Sequence, residues 1–115
     1  GTYRPYAEDR VYLDEEVSRH YLGDPDASWN EIEIDWPEGS LGMATACLKA
    51  GRRQEALKII GAHLPSMSKG ALPYASREIP HQFSTYPSVA STAWLVIAVK
   101  SLLDERAAEL FWEEP

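Results

Sequence analysis

Ile32, Ile34 and Trp36 alternate with Glu31, Glu33 and Asp35. A period of two predicts a half-buried strand or extended segment over 30–36, apolar on one side and acidic on the other. Immediately afterwards the period lengthens to that of a helix. Pro37 suits the first helical position, where its missing N–H costs nothing, and Glu38 falls in the first turn, where the helix dipole favours a negative charge. Leu41, Ala44, Cys47 and Leu48 carry this helix to Ala50, and Gly51 is its expected left-handed stop. A second helix over 53–64 has Ala56, Leu57, Ile60 and Leu64 on its apolar stripe. The two form a helical hairpin, and Gly42, Ala44, Ala46 and Ala50 would let a neighbouring helix come close.

Further helices flank this hairpin. Leu13, Val17 and Tyr21 predict a short amphipathic helix over 13–22, ended by a turn at Gly23, Asp24, Pro25 and Asp26. Residues 65–87 contain Pro65, Pro73, Pro80 and Pro87 and have little helical periodicity, so they predict a long, partly extended loop. Tyr74, Phe83 and Tyr86 argue against disorder there. Ser88 then opens the most apolar helix, 89–103, hydrophobic on nearly every face and so expected to be buried on more than one side. Asp104 caps a last helix over 105–112. An all-round apolar helix in so small a chain predicts self-association, or packing against the remainder of a larger assembly.

With 115 residues, 1–115 reads as one mainly α domain. Eleven basic residues against 18 acidic ones give a net charge of -7, which excludes the basic face a nucleic-acid partner needs. The apolar run 93–99 is too short to span a membrane. Residues 1–10 do not read as a secretory signal, and Cys47, the one cysteine, reads as a core residue without a disulfide partner; the cytoplasm is the preferred compartment. Asp24, Asp26, Ser28 and Asn30 sit at every second position with Asp35 at the twelfth place, as in a calcium loop. Trp29 stands where such a loop needs glycine, so the stretch reads as a turn. His20, His63 and His81 have no metal-binding spacing, and neither metal nor cofactor is expected.

Four motifs in order carry a resemblance. They are Trp36-Pro37-Glu38-Gly39, the hairpin over 44–60, Gly70-Ala71-Leu72-Pro73-Tyr74-Ala75, and Tyr86-Pro87-Ser88-Val89-Ala90-Ser91-Thr92-Ala93-Trp94. Together they resemble the late hairpins of six-hairpin, or (α/α)6 toroid, glycosidase-like bacterial proteins. The resemblance covers 32–99 and implies carbohydrate processing, with the Trp-Pro-Glu-Gly turn and the 70–88 loop lining a sugar cleft. Trp36, Tyr74, Phe83 and Tyr86 would stack on sugar faces and His81 would bind hydroxyls. Glu38 is the foremost catalytic candidate, with Asp35 or Glu78 as the second carboxylate that glycoside hydrolysis normally requires.

A complete toroid closes a ring of six hairpins, and this chain supplies too few helices to do so. The resemblance therefore implies a portion of a larger toroid, not active alone. The rival reading is a non-catalytic helical-hairpin interaction module of the tetratricopeptide kind, drawn from 46–52 and Glu55-Ala56-Leu57. No 34-residue period supports it.

Overall fold

The computed structural model describes residues 33–79 and 83–113. They are mainly helical: α1 (Pro37–Lys49), α2 (Arg53–His63), α3 (Val89–Leu103) and α4 (Glu105–Trp112), with a 3-10 turn over Leu64–Ser66. The helix and turn expected over 13–26, and most of the oxygen-rich stretch after them, lie outside the described residues.

Local chemistry sets the ends of these helices. Pro37 opens α1 and Glu38 lies in its first turn. At the other end, Gly51 has φ +75°. Its N–H donates to the Leu48 carbonyl at 3.1 Å and that of Arg52 to Cys47 at 2.8 Å, the paired closure of a Schellman motif. This turn folds α2 back along α1 as the expected hairpin. The Ser88 hydroxyl caps α3 by accepting from Ser91 N–H at 3.2 Å, and the Asp104 carboxylate caps α4 by accepting from Arg106 N–H at 2.9 Å.

Leu41, Ala44 and Cys47 of α1, Ala56, Ile59 and Ile60 of α2, and Leu95 and Ala98 of α3 make one core with Leu72 from the loop. α1 and α3 run in the same direction. Gly42 lies opposite Trp94, where an added methyl would sit 3.9 Å from the indole, and the last turns of both helices border one groove. That distance is ordinary van der Waals contact, so an alanine would also fit between α1 and Trp94.

Two expectations need correction, and a third resolves to one of its two forms. The buried face of α2 is Ala56, Ile59, Ile60 and His63, whereas Leu57 and Leu64 are exposed, so the stripe is rotated from the one read in the sequence. α3 is buried on one side only: Ser91, Leu95, Ala98 and Ser101 face inward while Val89, Val96 and Leu103 stand in solvent. No β-strand forms among the described residues. The 33–36 segment is extended, with Ile34 buried and Glu33 exposed, but it pairs with the loop only at Asp35.

The loop folds on itself as an irregular ribbon. Tyr74 N–H donates to the Tyr86 carbonyl at 2.8 Å and Ala75 N–H to Ser84 at 3.0 Å, while Ile79 and Phe83 exchange both backbone bonds. It is stitched to α3 at Leu72, whose carbonyl accepts from Ser88 N–H at 2.8 Å and whose N–H donates to Thr92 Oγ1 at 3.0 Å. These bonds satisfy the buried backbone of a segment without regular structure.

Candidate functional site

The ribbon lies over the end of the molecule where α1 and α3 begin, and most of the sequence-predicted site residues belong to this end. Asp35 is its hub. Asp35 N–H donates to Ser76 Oγ at 2.8 Å, and Ser76 N–H donates back to the Asp35 carbonyl at 3.0 Å. The Asp35 carboxylate accepts from the Ser40 hydroxyl at 2.7 Å on Oδ1 and meets His63 Nε2 at 2.7 Å on Oδ2. His63 Nδ1 is 2.6 Å from the Ile59 carbonyl.

This geometry fixes the protonation of the imidazole. A carbonyl only accepts and an ionised carboxylate only accepts, so with Asp35 ionised both ring nitrogens must donate and the ring carries its extra proton. Burial works against that charge, since the His63 side chain is only 1% exposed. The hydrogen bonds that the ring donates to Asp35 and to the Ile59 carbonyl, with the Asp35 charge, together outweigh burial and raise the His63 pKa above 6.5. Serine, aspartate and histidine here do not form a nucleophilic triad. Ser40 donates to Asp35 and not to histidine, and His63 has no lone pair left to act as a base.

The remaining candidates divide by exposure. Glu38 is half-buried in the first turn of α1, and Glu78 is exposed on the ribbon. Trp36 is half-buried, with its ring packed over Gly39 and its indole N–H buried without a hydrogen-bond partner. Tyr74 and Phe83 stack on each other with ring centres 5.9 Å apart. Tyr86 is 77% exposed although its backbone is tied into the ribbon. His81 lies outside the described residues. Among those described, no group of three His, Cys, Asp or Glu side chains is placed to hold a metal ion, and no helix is long and apolar enough to cross a membrane.

Sequence reading passed over His63, Ser40 and Ser76. One signal was present: His63 follows Ile59 and Ile60 at helical spacing on the buried face of α2, where an ionisable ring demands a partner. Cys47 sits in the core as expected, with Sγ 3.8 Å from Glu55 Oε2. Compared with known proteins, the chain matches no family model, no curated protein and no solved structure.

Proposed function

We propose that the end of the molecule where α1 and α3 begin is a carbohydrate-binding surface, belonging to a glycosidase-like protein of the six-hairpin kind. The observation that carries this reading is Tyr86, a large aromatic side chain 77% exposed on a backbone held by hydrogen bonds. An aromatic ring presented to water on an ordered backbone offers a ready platform for the C–H face of a sugar, and it is ordered before the ligand arrives. Half-buried Glu38 supplies a hydroxyl acceptor at the start of α1. Asp35, with both carboxylate oxygens engaged, acts as a positioning residue that fixes Trp36 and Glu38 against α2. Closing a catalytic cleft falls to the remainder of a larger toroid. Calorimetric titration of the chain with oligosaccharides tests the reading. Saturable binding weakened in Tyr86→Ala and Glu38→Gln supports it, and unchanged binding in both variants refutes it.

A second reading, a helical-hairpin interaction module, draws on one specific feature. Val89, Val96 and Leu103 are 88, 55 and 77% exposed and recur every seven residues along α3, an apolar stripe suited to another helix. The partner on this reading is a second copy of the chain. Light scattering tests it: a dimeric mass that falls to the monomer in Val96→Lys supports it, and a monomeric wild type refutes it.

A further inference from the structure

We propose that the groove at the opposite end of the molecule, between the last turns of α1 and α3 and one face of α4, binds a neutral sugar. The groove has a volume of about 430 Å³, within the range of small-ligand sites. Leu48, Leu102 and Ala108 give it an apolar lining. Glu105, Glu109 and Trp112 border it from α4, at steps of four and three residues that place them on one face. Lys49 and Arg53 border it from the α1–α2 corner.

Charge selects the class of ligand. Glu109 is paired with Arg106, which leaves Glu105 on one wall and Lys49 and Arg53 on the other, so a phosphate would meet Glu105 and a polyamine would meet Lys49 and Arg53. A neutral ring of hydroxyls, which both donates and accepts, is matched by both sets. Part of the lining is already fixed. Arg53 Nη1 donates to the Leu102 carbonyl at 2.9 Å, and Glu109 is held by Arg106 at 3.2 Å. Lys49, Glu105 and the Trp112 indole N–H make no hydrogen bond to the described residues, which leaves them for a ligand.

Trp112 supplies the stacking surface. It is 41% exposed, yet its ring is braced edge-on by Phe111 at 5.1 Å, and Phe111 is braced by Trp94 at 5.8 Å. Trp94 packs against the core, so the chain of rings ties an exposed indole to the rigid part of the molecule. An indole wall beside a carboxylate and cations offers stacking and hydrogen bonding together, the combination a pyranose requires. The groove stands on these residues alone and does not depend on the Tyr86 surface.

The test is isothermal calorimetry of the full chain with cellotetraose, maltotetraose and xylotetraose, for wild type, Trp112→Ala, Trp112→Phe, Glu105→Gln and Tyr86→Ala. Far-UV circular dichroism checks that each variant is folded. The expected result is saturable binding of at least one probe, weakened about tenfold in Trp112→Ala, weakened in Glu105→Gln, retained in Trp112→Phe and, in Tyr86→Ala, reduced to the share of this groove but still saturable. Absence of binding to all three probes overturns the proposal. Binding that is lost in Tyr86→Ala and intact in Trp112→Ala also overturns it, while leaving the reading of the ribbon end in place.

Discussion

The imidazole of His63 lies 2.7 Å from the carboxylate of Asp35 and bolts together the open end of the α1–α2 hairpin. Gly51 closes the other end through backbone bonds, whereas this end depends on a charged pair whose side chains are 1 and 14% exposed. Removing one partner of such a pair strands the other charge away from water. Asp35→Ala therefore lowers stability by about 3 kcal/mol, measured as a fall in the urea midpoint at unchanged slope. A loss of a few tenths, as for a solvent-exposed pair, would contradict this role.

The same pair gives stability a defined pH dependence. His63 has a pKa raised above its ordinary 6.5 in the folded state. The folded state therefore holds this proton more tightly than the unfolded chain. The extra stability is fully present below pH 6.5 and is lost as pH rises through the folded-state pKa. The urea midpoint of wild type should decline on that alkaline limb, and His63→Gln should remove this component of the decline. An imidazole titration by NMR with its midpoint below 6.5 would reverse the sign and defeat the prediction.

Gly39 is set by a close approach. A methyl placed on it would overlap Trp36 Cε3 and lie 2.7 Å from Cζ3, so the indole must shift. Gly39→Ala is expected to cost about 1–3 kcal/mol despite the better helix propensity of alanine. The near-ultraviolet dichroism of tryptophan should change with it. Unchanged stability and spectrum would mean that the ring does not rest on Gly39.

Much of the fold was legible because helix boundaries are written locally. Pro37, Gly51, Ser88 and Asp104 each act on backbone within a turn of themselves, and each stands where the sequence put it. The orientation of α2 was less legible. Leu57 and Leu64 outrank histidine in hydrophobicity, yet His63 is the residue buried, because Asp35 waits 28 positions earlier to receive it. Pairing at that separation is fixed by the length of the hairpin and leaves no mark on local periodicity. Past the 3-10 turn at Leu64–Ser66, the described residues of the loop are non-helical as read, but cross-ribbon bonds such as Tyr74 to Tyr86 follow from folding on itself and are invisible to a window of neighbours.

The one-sided packing of α3 separates two adjacent residues. Leu95 is 6% exposed in the core, and Val96 is 55% exposed one position later. Truncating a buried leucine removes its transfer energy and leaves a cavity, so Leu95→Ala should cost about 3 kcal/mol. Val96→Ala removes atoms that already face water and should fall within about 0.5 kcal/mol of wild type. Chemical denaturation of both variants under dilute conditions decides the matter. Comparable losses at the two positions would mean that α3 is covered on both sides, as its all-round apolar sequence first implied, and the exposed stripe would then be an interface already occupied in solution.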